Sequence, residues 1–183
     1  MNSPTHNIVL SFNDKTNSGF VQFAQDKFSS ISDGYCLSEI VIPHVTLAQI
    51  NLANFSAQED LIASLSSINP ENICLNPEGF AFRYGSSTHT GKIWIEIIIQ
   101  KTKALLDVHN DVCKTLEIFD LKPLNAYGKN YHPHITFCRM SLDHQIPQIL
   151  LPQNFVHPIK KPFLCFGESD PNGQLLSILW KSS

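Results

Sequence analysis

Two short segments of this 183-residue chain repeat one pattern of residues that can do acid–base chemistry. The first is Pro43-His44-Val45-Thr46-Leu47 and the second is Pro133-His134-Ile135-Thr136-Phe137, so both read Pro-His-apolar-Thr-apolar. The two histidines are 90 residues apart, about half of the chain, as expected if each half supplies one copy. A single His-x-Thr match is a weak signal, but a matched pair with shared flanking residues favours a common functional role.

The pattern predicts that histidine and threonine share one face of a strand. Side chains alternate along a strand, so His44 and Thr46 point the same way, about 6.6 Å apart, and His134 and Thr136 do the same. If the two halves pack around a cleft, two imidazoles and two hydroxyls meet there. One imidazole can remove a proton from an attacking oxygen while the other protonates the leaving oxygen. Such a set suits phosphodiester chemistry without a metal ion, with the hydroxyls donating to phosphate oxygens.

With these motifs the sequence resembles the 2H phosphoesterases, which are defined by two His-x-Thr/Ser motifs. Within that group it is most similar to the RNA 2′,3′-cyclic phosphodiesterases, also called 2′-5′ RNA ligases. The resemblance implies an α+β, bilobal fold with two pseudo-symmetric β-sheet lobes, helices outside and a central cleft. It also implies that His44 and His134 are the catalytic pair and that Thr46 and Thr136 orient the phosphate.

Three further residues are candidates for substrate binding. Arg139 lies five residues after the second histidine, where the resemblance implies an arginine that contacts the phosphate. Strict alternation puts Arg139 on the face opposite His134, so it reaches the cleft only if the strand ends, twists or bulges near it. Tyr84 and Tyr131 are the best candidates for stacking on a nucleobase, because their hydroxyls tolerate solvent.

A metal site is the main alternative interpretation of the second motif. His132 and His134 form a His-x-His pair, a spacing found in metal sites. No carboxylate or cysteine lies at a helpful sequence spacing from this pair, so the sequence predicts no metal and no cofactor. The remaining alternative, a zinc hydrolase, would be decided by metal analysis of the purified protein.

Hydrophobic periodicity predicts an α+β chain with three helices and about seven strands. Apolar residues at helical spacing predict helices over 16–31 and 102–119, with another helix starting near residue 56. Strands are predicted at 8–12, 40–52, 80–84, 92–100, 135–140, 163–166 and 175–180. No linker interrupts this series, so residues 1–183 are predicted to form a single bilobal domain.

Composition excludes several classes of protein. Hydrophobic residues make up 43% and charged residues 16%, which excludes a disordered tail and a coiled coil. The net charge of −3 provides no global basic field for long nucleic acid, so an anionic substrate needs a local cluster. Five scattered cysteines without a CxxC pair favour free thiols in a reducing cytosol. The chain shows no signal peptide and no apolar run of membrane length, so we expect a cytoplasmic monomer without membrane binding.

Together these features predict a metal-independent phosphodiesterase that hydrolyses 2′,3′-cyclic phosphates of RNA ends or small cyclic nucleotides. The sequence leaves open which histidine is the base and whether the product is a 2′- or a 3′-phosphate. Alternatives in the same cleft are 2′-5′ RNA ligation, 3′-5′ exonuclease activity on oligonucleotides and processing of ADP-ribose cyclic phosphate. A module that binds RNA or nucleotides without turnover is the alternative from another class.

Overall fold

The computed structural model describes residues 5–52, 55–150 and 152–182. The helices are α1 (Asp14–Phe28), α2 (Phe55–Leu65) and α3 (Lys103–Ile118). The strands are β1 (Thr5–Ser11), β2 (Ser32–Cys36), β3 (His44–Asn51), β4 (Cys74–Leu75), β5 (Pro77–Tyr84), β6 (Lys92–Ile99), β7 (His134–Ser141), β8 (Ile159–Lys160), β9 (Phe163–Ser169) and β10 (Leu175–Lys181).

Two four-stranded antiparallel sheets form the frame of the molecule. The first sheet has the order β10-β9-β1-β3 and the second has the order β2-β7-β6-β5. The short strands β4 and β8 pair with each other outside both sheets. Antiparallel sheets combined with separate helices are an α+β arrangement, which confirms the fold class predicted from the sequence.

The two sheets exchange elements, so neither is built from one half of the chain. Strand β2 comes from the first half but lies at the edge of the second sheet, while β9 and β10 complete the first sheet from the C-terminal end. The helices cross over in the same way: α1 packs on β7 of the second sheet, and α3 packs on β3 of the first. One apolar cluster includes buried residues from both sheets and from all three helices.

Side-chain caps fix where two helices begin. The Asn13 side chain accepts a hydrogen bond from the backbone N–H of Thr16, and Thr102 accepts one from Leu105. The first cap explains why α1 starts at Asp14 rather than at residue 16. After α1, a 3₁₀ turn covers the last three residues that the periodicity assigned to the helix, which therefore ends at Phe28.

The sequence did not predict strand β2, nor the two-residue strands β4 and β8. The β2 residues Ser-Asp-Gly-Tyr-Cys lack the apolar–polar alternation of a half-buried strand. Pairing with β7 stabilises β2, with Tyr35 opposite Arg139 and Cys36 opposite Cys138. In the described ranges, none of the helices combines the length and the hydropathy needed to cross a membrane.

Candidate active site

The strands that carry the two motifs lie next to each other where the sheets meet. His44 is the first residue of β3 and His134 the first residue of β7, and the two strands are in contact. Both histidines, together with Thr46 and Thr136, line one cavity of about 370 Å³. The structure therefore brings together the four motif residues that the sequence singled out.

Each catalytic candidate is anchored through the same ring nitrogen. Nδ1 of His44 lies 2.7 Å from the carbonyl oxygen of Ile42, and Nδ1 of His134 lies 2.7 Å from the carbonyl oxygen of His132. A carbonyl oxygen only accepts hydrogen bonds, so Nδ1 is the donor in both rings. In the neutral ring Nε2 then carries the lone pair, which makes it the nitrogen that exchanges a proton or binds a ligand.

Each motif strand has a β-bulge after its threonine. The bulge puts a third side chain of the strand on the same face as the histidine and the threonine. Between β1 and β3 the pairing passes from Ala48 to Thr46, which leaves Leu47 extra. Between β6 and β7 the pairing passes from Cys138 to Thr136, which leaves Phe137 extra. An extra residue reverses the alternation beyond it. Both strands accordingly have two successive buried residues after the threonine.

The bulges place Gln49 and Arg139 at equivalent positions, five residues after His44 and His134. Gln49 lines the cavity. The bulge in β7 puts Arg139 on the same face of the strand as His134. Such a bulge is one of the irregularities that the sequence requires for Arg139 to approach the cleft. The Arg139 guanidinium reaches the wall of the cavity, where Nη1 lies 3.2 Å from His89 Nδ1 and 3.3 Å from Asn172 Oδ1.

Arg139 also belongs to a charged cluster behind that wall. Its Nε donates to Asp33 Oδ1 at 2.8 Å, Lys92 pairs with the same carboxylate, and its guanidinium lies 5.2 Å from the centre of the Trp94 ring. Burial would raise the pKa of Asp33, but hydrogen bonds and charge from Lys92 and Arg139 outweigh it and lower the pKa. The ionised Asp33 therefore holds Arg139 in place and offsets part of its charge.

His44 is almost fully buried, and the charge of His134 adds to the effect of burial on its pKa. The residue is 6% exposed. Just before its strand, the Ile42 N–H donates to the carbonyl oxygen of Leu175, the first residue of β10, at 2.9 Å. Burial lowers the pKa of His44 to about 4, although the carbonyls of Ile42 and Gly173 favour the charged ring. At neutral pH this histidine is the uncharged imidazole.

His134 has a buried carboxylate beside it instead. Glu96 Oε1 lies 3.5 Å from His134 Nε2, and Glu96 Oε2 lies 3.5 Å from His132 Nε2 and from Arg83 Nη1. Burial would raise the pKa of Glu96, but His132, His134 and Arg83 outweigh it and lower the pKa. The pKa of His134 is lowered overall: burial is the largest cause and the charges of His132 and Arg83 add to it, while Glu96 and the His132 carbonyl oppose it.

The two tyrosines that the sequence proposed for base stacking occupy very different positions. Tyr84 lines the cavity and is 76% exposed, so its ring is available at the rim. Tyr131 is 1% exposed and stacks on His109, with ring centres 3.8 Å apart and planes 4° apart. This corrects the expectation for Tyr131: the ring fills the core beside α3, where a nucleobase has no access.

Several residues of the cavity were not found by sequence reasoning. They are carboxamides and aromatic rings: Asn7, Gln49, Asn125, Asn172, Tyr35 and His89. Glu96 had a readable signal, since it is the one charge inside the apolar run Ile93–Ile99. A lone carboxylate in the middle of a buried strand needs a partner, which makes it a candidate functional residue.

Comparison with known proteins supports the architecture. No protein-family profile and no curated protein sequence matches the chain. Among solved structures, it is similar to E. coli LigT complexed with 3′-AMP, with a TM-score of 0.68, 15% identity and 98% of each chain covered. It is also similar to E. coli LigT in apo form, with a TM-score of 0.66, 12% identity, and 100% of this chain and 99% of LigT covered.

A third solved structure, described as a phosphoesterase, matches with a TM-score of 0.54 and 14% identity, covering 99% of both chains. LigT is a 2′-5′ RNA ligase of the 2H phosphoesterase type. The expected resemblance to the 2H phosphoesterases is thus confirmed at the level of the fold, over the whole length of the chain.

Proposed function

We propose that this protein is a metal-independent phosphodiesterase that hydrolyses 2′,3′-cyclic phosphates of RNA ends or small nucleotides. The proposal depends chiefly on one observation. Two histidines from equivalent strands line the same cavity, and each has its Nδ1 held by a carbonyl, which leaves Nε2 for proton transfer. Hydrolysis of a phosphodiester needs one group that accepts a proton and another that donates one.

The surroundings of the two rings suggest a division of roles. His44 is buried and uncharged at neutral pH, so its Nε2 accepts the proton of the attacking water. His134 has the Glu96 carboxylate 3.5 Å from Nε2, whose charge favours the protonated ring against the effect of burial, so we assign His134 as the proton donor. Water oxygen bonds to phosphorus, the bond from phosphorus to one ribose oxygen breaks, and that oxygen takes the proton of His134. A nucleoside monophosphate leaves, and the proton returns from His44 to His134 through solvent.

The size and lining of the cavity suit a nucleotide. A volume of about 370 Å³ lies in the range of small-molecule sites. The hydroxyls of Thr46 and Thr136 supply donors for the non-bridging oxygens, on which negative charge develops in the transition state. Tyr84 at the rim offers a ring for the base. E. coli LigT has been crystallised with 3′-AMP and with phosphate, and by that likeness we propose the same ligand class for this cavity.

The test is turnover of 2′,3′-cyclic AMP by the full chain, purified in excess EDTA, followed by chromatography of the products. We expect hydrolysis to a monophosphate at an undiminished rate in EDTA, and retained activity in a His144→Ala control, which changes an exposed histidine away from the cavity. Absence of any product, or activity that requires an added metal, would refute the proposal. Binding of 3′-AMP without turnover would favour the non-catalytic nucleotide-binding alternative.

A further inference from the structure

Three metal-ligating side chains converge beside the second motif. Glu96 lies in β6, His134 begins β7 and His132 lies two residues before it, and their ligand atoms all lie within 4.8 Å of one another. Glu96 reaches the two histidines because β6 pairs with β7, with Glu96 opposite Thr136. Sequence spacing could not show this carboxylate, since it is 38 residues from His134 along the chain.

Their spacing fits ligands of one ion better than it fits hydrogen bonds. Each histidine Nε2 is 3.5 Å from a Glu96 oxygen, which is longer than a normal N–H···O bond. Glu96 Oε2 and His132 Nε2 are both inaccessible to solvent, and neither makes a hydrogen bond. Bonds of about 2.0–2.2 Å in a tetrahedron put neighbouring ligand atoms roughly 3.4 Å apart, close to this separation.

The orientation of His134 also fits a metal ligand. Its Nδ1 donates to the carbonyl of His132 at 2.7 Å, so Nε2 has the lone pair and faces Glu96. Metal-ligating histidines characteristically donate their second ring nitrogen to a carbonyl or carboxylate, which fixes the tautomer. Arg83 is the competing cation, 3.5 Å from Glu96 Oε2, but its side chain is half exposed and can turn into solvent.

We propose that Glu96, His132 and His134 form a Zn²⁺ site, and that zinc bound there inhibits the enzyme. Two imidazoles and one carboxylate are a ligand set that zinc takes, with the fourth position open to the cavity. The inhibition rests on the proposed function: zinc on Nε2 of His134 displaces the proton that this histidine would donate. Metal-free protein is then the active form, and zinc is a regulator.

Binding is tested without reference to activity. The full chain is stripped with EDTA, dialysed and titrated with ZnCl₂ by calorimetry, with Co²⁺ absorption as a second readout of tetrahedral coordination. We expect one zinc per chain, with affinity at least tenfold lower in His132→Ala and in Glu96→Gln, and unchanged in the exposed control His144→Ala. His132→Ala keeps the backbone carbonyl that holds His134, so circular dichroism should show an intact fold. Equal binding by wild type and both variants, or no binding, overturns the site.

Inhibition is tested separately on 2′,3′-cyclic AMP, each variant being compared with its own metal-free rate. Zinc at the concentration that fills the site should slow wild type at least tenfold, EDTA should restore the rate, and His132→Ala should need at least tenfold more zinc for the same inhibition. Stoichiometric zinc that leaves the rate unchanged, or raises it, overturns the inhibitory role. If metal-free protein has no activity at all, the proposed function fails while the calorimetric result still decides the site.

Discussion

The two halves of the cavity share a backbone plan but differ in one buried side chain. In both halves a His-x-Thr strand bulges after the threonine and pairs with a neighbouring strand. Opposite Thr46 that neighbour carries Val9, which is fully buried, and opposite Thr136 it carries Glu96, which is 3% exposed. A valine in one half therefore corresponds to a carboxylate in the other.

This difference shows how a repeated backbone can hold two chemically distinct histidines. The repeat fixes the Nδ1 hydrogen bonds, which are 2.7 Å long in both halves. The side chain opposite the threonine then adjusts the proton affinity: no carboxylate opposes the effect of burial on His44, whereas Glu96 opposes the effect of burial on His134. Pairs of titratable groups whose environments separate their pKa values are typical of an acid and a base in one site.

The most severe test of this comparison removes each ring. His44→Ala and His134→Ala should each lower kcat on 2′,3′-cyclic AMP by about 10²–10⁴-fold, because each deletes one of the two proton-transfer groups. Initial rates at saturating substrate measure the loss, and circular dichroism checks the fold. Full activity in either variant would remove that histidine from the mechanism. A loss of kcat in only one variant would mean that the two histidines do not both take part in proton transfer.

Much of the frame could be predicted from the sequence because it depends on local patterns. Helix α3 was expected over 102–119 and covers Lys103–Ile118, since its apolar stripe and its Thr102 cap are both readable. The pairing of the two motifs was readable from their flanking prolines and apolar residues. The positions of His44 and His134 in one cavity follow from that repeat.

What could not be predicted depends on register between strands distant in sequence. Glu96 joins His132 and His134 only through the β6–β7 pairing, and the bulge at Phe137 decides on which face Arg139 lies. Tyr131 illustrates the opposite error: a tyrosine next to a motif is a reasonable partner for a base, but this ring packs on His109. Neighbours in sequence can lie on opposite sides of a sheet, which local patterns alone do not reveal.

A smaller effect is expected from removing the carboxylate that distinguishes the halves. Glu96→Gln keeps the shape of the side chain but withdraws the charge that favours protonated His134, so kcat should fall by about tenfold, less than on removing the ring itself. The alkaline limb of the pH profile should move to lower pH, because the pKa of the proton donor falls. Arg83→Gln is the matched control, because it removes a half-exposed neighbour of the same carboxylate. Equal effects of both variants would contradict the role of the Glu96 charge.

A further contrast concerns Gln49 and Arg139, which occupy equivalent positions after the two motifs. Arg139→Ala should lower kcat/KM several-fold by raising KM, since the guanidinium supplies positive charge at the cavity wall. It also leaves Asp33 with Lys92 as its ion-pair partner, so the urea midpoint should fall. Gln49→Ala should change KM less, because a neutral carboxamide attracts phosphate weakly. A larger rise in KM for Gln49→Ala than for Arg139→Ala would show that phosphate binds nearer to Gln49 than to Arg139.

The smallest effect expected is the response of wild type to mild acid, which separates the two histidines without a mutation. As the proposed base, His44 must be neutral to accept a proton, so activity should fall as pH drops through its pKa, which burial lowers to about 4. Between pH 7 and 5.5, kcat/KM should therefore not fall, whereas a base with the ordinary value of 6.5 would lose about tenfold. Because the unfolded chain binds a proton at His44 below about pH 6.5 and the folded chain does not, stability also declines from there towards pH 4. Circular dichroism at each pH separates unfolding from titration, and a tenfold loss in fully folded protein would show that His44 is not the neutral base.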